Sequence, residues 1–117
     1  MFSDPQSITV NSVAQSLPAI ARNDVSSQYQ KDDATYKMVI SHQYKTERNR
    51  FTVRIDANKV AADPLTAANN RVYSQSCYIV MDKPVVGYSN AETQQLASAL
   101  TAFCTSANLL KVLGGET

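Results

Sequence analysis

Hydrophobic and polar positions alternate with a period of two along three stretches of the chain. In residues 35–45 (TYKMVISHQYK), Tyr36, Met38, Ile40, His42 and Tyr44 form one set, and Lys37, Val39, Ser41, Gln43 and Lys45 the other. In residues 50–57 (RFTVRIDA), Phe51, Val53 and Ile55 oppose Arg50, Thr52, Arg54 and Asp56. Residues 71–81 (RVYSQSCYIVM) split into Val72, Ser74, Ser76, Tyr78, Val80 and Tyr73, Gln75, Cys77, Ile79, Met81. Successive side chains on a strand point to opposite faces, so all three read as half-buried strands. The polar link KTERN between the first two suits a hairpin turn.

Shorter signals precede them. Ile8 and Val10, then Asn11-Ser12, then Val13, Leu17 and Ile20 predict an N-terminal hairpin within residues 1–22. Pro18 requires an edge or bulge position there. RNDVSS reads as a loop. Val25–Lys31 reads as a short strand closed by a turn at Lys31-Asp32-Asp33. Residues 58–70 (NKVAADPLTAANN) lose the strand period, contain Pro64, and read as a long surface loop. Pro84 and Gly87 end the third strand.

The period then changes. Ser89-Asn90-Ala91-Glu92 fits a capping box, in which serine and glutamate side chains serve each other's backbone amides. A helix is predicted from Ala91 to about Thr105, with Leu96, Leu100 and Phe103 on one face. A break near Ser106 and a short second helix, Ala107 to Leu113, follow. Gly114-Gly115 is the stop.

These elements make one α+β domain over residues 1–117: an N-terminal β-hairpin, an antiparallel meander over 25–83, and two helices within 90–113. Five strands at ~4.8 Å spacing span ~24 Å. A helix of ~10 Å diameter cannot cover that width. The economical completion is a symmetric dimer in which each chain's helices lie on its partner's sheet.

Composition changes the picture only through its distribution. The 117 residues are 44% hydrophobic and 18% charged, a globular balance, with a net charge of +1. Within residues 37–54, however, Lys37, Lys45, Arg48, Arg50 and Arg54 face Glu47 alone, a net +4 that leaves −3 elsewhere. The three long strands are expected to place Lys37, Ser41, Gln43, Lys45, Arg50, Thr52, Arg54, Tyr73 and Gln75 on one face. Cations, hydroxyls, amides and an aromatic suit RNA, where cations meet phosphates and aromatics stack on unpaired bases. An ordinary solvated sheet face has the same composition, and the pattern leaves both readings open.

Other chemistry finds little support. His42 shares the set of Met38 and Ile40 and reads as a buried or interface residue. Asp32-Asp33 reads as turn chemistry. There is no glycine-rich phosphate loop and no metal-ligand spacing, so no catalytic residue, metal or cofactor is predicted. Cys77 and Cys104 are expected to be buried thiols in a reducing cytoplasm. The N-terminus has no secretory pattern, and no apolar run approaches the roughly 18–20 residues that span a bilayer, so no membrane partner is expected.

The segments YKMVISHQ (36–43), NRFTVRID (49–56), RVYSQ (71–75) and ALTAFCTSANLLKVLGG in this order resemble the coat proteins of small single-stranded RNA bacteriophages, the levivirus-like family. The resemblance covers nearly the whole chain. It implies an intertwined homodimer with a continuous ten-stranded sheet, its helices over the partner's sheet. It implies assembly in the bacterial cytoplasm into an icosahedral virion shell around genomic RNA. The inner face would also bind an operator hairpin and repress replicase translation. Position by position, the resemblance assigns Lys37, Val39, Ser41, Thr52, Arg54, Tyr73 and Gln75 to RNA, with Tyr73 stacking and Arg54 on phosphate. Val39 stands where relatives have a hydroxyl, Gln43 where a relative has a cation, and Gln75 replaces a shorter amide. The 58–70 loop, with Asp63, Pro64 and Leu65, would meet neighbouring dimers. It has no cysteine, which implies a shell held by noncovalent contacts. A dimeric RNA-binding regulator that does not assemble is the alternative.

Overall fold

The computed structural model describes residues 2–66 and 68–117. Met1 of the expected 1–22 hairpin and Ala67 of the expected 58–70 loop lie outside the described residues. Strands β1 (Gln6–Val10) and β2 (Val13–Leu17) form a two-stranded hairpin. Strands β3 (Ala19–Arg22), β4 (Ser26–Gln30), β5 (Tyr36–Tyr44), β6 (Arg48–Ala62) and β7 (Asn70–Pro84) form an antiparallel sheet in chain order. Helices α1 (Asn90–Phe103) and α2 (Ser106–Leu113) follow, bent by 74° where they meet. The fold is the expected α+β arrangement.

Asn11 and Ser12 have φ of 51° and 64°, the left-handed pair that a tight two-residue hairpin turn requires. The expected 1–22 hairpin is shorter than that range. Ala19–Arg22 leaves it and forms the edge of the main sheet, with an irregular register between Ala19 and Ala21. Pro18 sits at that crossing, where its missing N–H costs no ladder bond and its carbonyl accepts from Gln30 N–H at 3.0 Å.

The 58–70 loop also narrows. Asn58 to Ala62 pair with Ser74 back to Asn70, which leaves 63–69 as the connection. β5 begins at the Tyr36↔Ala57 pair. The β6–β7 ribbon therefore projects alone for about 17 Å beyond it, at ~3.4 Å per residue.

Capping fixes the helix ends. Ser89 Oγ accepts from Glu92 N–H at 3.2 Å, and Glu92 Oε2 accepts from Ser89 N–H at 3.1 Å. Thr105 caps α2 through Asn108 N–H at 3.3 Å. At its far end Glu116 N–H reaches Lys111 O and Gly115 N–H reaches Val112 O, both at 3.0 Å. Gly115 holds the positive φ of 90° that this ending demands.

The core is small. Leu17, Tyr29, Met38 and Ile40 are the buried hydrophobics among the described residues, with Ile8, Ala19, Tyr36, Val53 and Ile55 packed around them. The hairpin thus covers the β4–β5 half of the apolar face. On the β6–β7 half, α1 leaves a groove of about 560 Å³ lined by Phe51, Val53, Ile79 and Met81 on one wall and Ala97 and Thr101 on the other. Neither helix buries a residue. Leu96, Leu100 and Phe103 are 74%, 53% and 62% exposed. Cys77 and Cys104 are exposed as well, contrary to expectation: Cys77 lies opposite Ile55 on the uncovered part of the sheet, and Cys104 ends α1. No single helix among the described residues is long and apolar enough to cross a membrane.

Candidate nucleic-acid interface

Register decides which side chains share a face, since directly opposite residues on paired strands point the same way. Lys37, Val39, Ser41 and Gln43 lie opposite Asp56, Arg54, Thr52 and Arg50. Those four lie opposite Ser76, Tyr78, Val80 and Asp82. On the other flank, Gln30, Gln28 and Ser26 lie opposite Lys37, Val39 and Ser41. The polar face is therefore a grid of rows, Gln30–Lys37–Asp56–Ser76, Gln28–Val39–Arg54–Tyr78 and Ser26–Ser41–Thr52–Val80, with Gln43–Arg50–Asp82 beyond.

Seven of the expected residues meet on this face: Lys37, Val39, Ser41, Gln43, Arg50, Thr52 and Arg54. Lys45 lies past the end of β5, in the turn where its N–H donates to Arg48 O at 3.1 Å.

Tyr73 and Gln75 are not on this face. They lie opposite Lys59 and Ala57, and Ala57 lies opposite Tyr36, so both belong to the apolar side. The aromatic on the polar face is Tyr78. The signal was present in the sequence: Ser74, Ser76 and Tyr78 form the polar set of β7, while Cys77, Ile79 and Met81 form the set that matches Val53 and Ile55.

The arginines are held in place. Arg54 Nε donates to Asp56 Oδ1 at 2.8 Å, and the Arg54 guanidinium carbon stands 6.0 Å from the Tyr78 ring centroid. Arg48 Nε donates to Asp82 Oδ1 at 3.0 Å, with Arg50 Nη2 at 3.8 Å from Asp82 Oδ2. Asp56 and Asp82, from outside the basic stretch, temper its +4 without reversing it. Such partly exposed ion pairs fix geometry more than they add stability. The face offers cations at two strands, hydroxyls at Ser41, Thr52 and Ser76, amides at Gln28, Gln30 and Gln43, and one stacking ring.

His42 is half-buried on the apolar side, edge-on to Phe51 at 5.2 Å between ring centroids. It packs against Phe51, which lines the groove. Asp33 Oδ1 accepts from Thr35 N–H at 3.0 Å and Thr35 Oγ1 at 2.6 Å, the turn chemistry expected. Among the described residues, no group of three or more acidic, His or Cys side chains is placed to hold a metal ion. In the connecting loop Asp63 accepts from Leu65 N–H at 2.9 Å and lies 3.7 Å from Arg71 Nη1. This presents Leu65, 94% exposed, at the ribbon's tip.

The family model for the coat protein of phage phiCb5 matches residues 3–84, which span the hairpin and the entire sheet. The chain belongs to the phage phiCb5 coat protein family. It is a structural capsid protein of the virion, not an enzyme. No curated protein sequence matches it. Solved structures share the fold at low identity. The virus-like particle of bacteriophage AVE019 has a TM-score of 0.83 at 12% identity, covering 98% of this chain and 97% of that one. The capsid protein of bacteriophage GA has a TM-score of 0.63 at 6% identity, covering 96% and 95%. An unassembled bacteriophage coat protein dimer, described as RNA-binding, has a TM-score of 0.63 at 10% identity, covering 97% and 95%.

Proposed function

We propose that this coat protein works as a homodimer that assembles in the bacterial cytoplasm into an icosahedral shell around single-stranded genomic RNA. The observation that carries the dimer is the groove beside α1. Both helices are capped and formed, yet neither buries a residue, and the apolar β6–β7 face beside them lies open. An amphipathic helix is stable in water chiefly through the face it buries. A second copy supplies that cover if its helices enter the groove with Leu96, Leu100 and Phe103 inward. Among the described residues β7 also leaves one edge unpaired over fifteen residues. Pairing with the same edge of the partner joins two five-stranded sheets into ten strands and removes an aggregation-prone edge.

The dimer's polar face then doubles across the two-fold axis and turns toward the genome. In this reading Lys37, Arg50 and Arg54 meet phosphates. Tyr78 stacks on an unpaired base. Val39, Ser41, Gln43 and Thr52 line the adjoining base positions, with Lys45 a cation at the rim. The relative described as an RNA-binding dimer supports this reading. Recognition of an operator hairpin, with repression of replicase translation, belongs to the same face. Asp63, Pro64 and Leu65 form the contact between dimers, and without cysteine in that loop the shell is held by noncovalent contacts.

The test is expression of the chain in bacteria followed by nuclease digestion. RNA protected inside a sedimenting particle is the expected result. Soluble dimers that bind RNA but leave it digestible would instead indicate a non-assembling regulator.

A further inference from the structure

One end of the polar face holds a depression of about 440 Å³ bordered by Gln30, Lys37, Asp56, Asn58, Ser74 and Ser76. It is large enough to take the edge of a base, and its lining is polar. Its unusual member is Asp56, a carboxylate on a face otherwise suited to a polyanion. Asp56 is fixed by Arg54, which engages Oδ1 through Nε at 2.8 Å, and its side chain is 27% exposed. No second hydrogen bond to this carboxylate forms among the described residues. Oδ2 and a lone pair on Oδ1 therefore remain to accept from a ligand.

We infer that this depression reads a guanine base, with the Asp56 carboxylate accepting from its Watson–Crick edge. The inference rests on the RNA-binding reading of the face. An ionised carboxylate is an acceptor with two adjacent oxygens. Among the four RNA bases, only guanine presents two adjacent donors, N1–H and the N2 amino group, on that edge. Adenine and cytosine set one donor beside an acceptor, and uracil sets one donor between two acceptors. Their lone pairs meet the carboxylate unfavourably. Lys37, opposite Asp56 across the β5–β6 pair, supplies a cation for guanine O6 or the adjoining phosphate. Arg54 pins the carboxylate's orientation and offsets its repulsion of the backbone, so a negative group is tolerated here.

The test uses the purified full chain and short single-stranded RNAs of A and U carrying one central guanosine, inosine or adenosine, read by fluorescence anisotropy. Guanosine should bind about tenfold more tightly than adenosine, within the range set by one bidentate base contact. Inosine, which keeps N1–H and lacks the amino group, should fall between. In Asp56→Asn the guanosine-to-adenosine ratio should drop to near one, while affinity for the adenosine RNA rises because a negative charge has left. RNA bound with equal affinity whatever the central base overturns the inference, as does a guanosine preference unchanged in Asp56→Asn. A preference that follows 2′-deoxy substitution at that nucleotide, and not its base, also overturns it by assigning Asp56 to the ribose. Failure of every RNA to bind would remove the RNA face itself, a distinguishable outcome.

Discussion

Arg54 stands between Tyr78 and Asp56: its guanidinium carbon lies 6.0 Å from the Tyr78 ring centroid while its Nε donates to Asp56 at 2.8 Å. The carboxylate fixes the direction of the cation, and the cation lies against the one ring that shares its face among the described residues. A base that stacks on Tyr78 therefore brings its phosphate near a positioned charge. Tyr78→Ala should weaken RNA binding by roughly 1–3 kcal/mol, the usual worth of one stacked base. Tyr73→Ala should leave it unchanged, because Tyr73 is on the other face. Anisotropy titrations of both variants check the pair. The reverse order of effects would mean that RNA uses the apolar side.

Arg54→Ala should act through charge. Affinity should fall across all sequences, and the slope of log affinity against log salt should flatten by about one unit. Titrations at several salt concentrations give that slope directly.

How much of this was legible before the fold is clearest at Tyr73 and Tyr78. Within each strand the alternation is plain, since side-chain direction follows from sequence position alone. The relative phase of two strands depends on register, which the connecting segment sets. Matching the serine-rich set of β7 to the cationic sets of β5 and β6 gives the observed face. The coat-protein resemblance pointed to Tyr73, one step out of phase. The ribbon 58–62 was hidden for a different reason. Asn58, Lys59, Ala61 and Ala62 are poor strand formers, held extended by pairing with 70–74 and not by their own pattern. The capping box at Ser89 was legible because its bonds are local.

The helix stripe should govern self-association. Phe103→Asp places a charge where the partner's sheet is proposed to lie. Replacing a core aromatic costs about 3–5 kcal/mol even without adding charge. The dimer should therefore weaken by at least a hundredfold, roughly 3 kcal/mol at 1.4 kcal/mol per decade. Sedimentation over a concentration series measures this. An unchanged dimer would place its interface elsewhere.

Acid should loosen the turn before β5. Hydrogen bonds from the Thr35 hydroxyl and backbone, aided by Lys31, hold the Asp33 carboxyl below its ordinary 3.8. A folded-state pKa that is depressed stabilises fully above the unfolded value and is lost as pH falls through the folded one. Melting temperatures of the chain and of Asp33→Asn should differ by a constant amount near neutrality. That difference should shrink below 3.8. A difference that persists undiminished at about pH 2 would mean that the ionised carboxylate is not what holds the turn.

Electron microscopy of the chain expressed in bacteria tests the central claim most directly. Closed icosahedral shells containing RNA are the expected result. Only monomers or dimers, with no shell under any assembly condition, would contradict it.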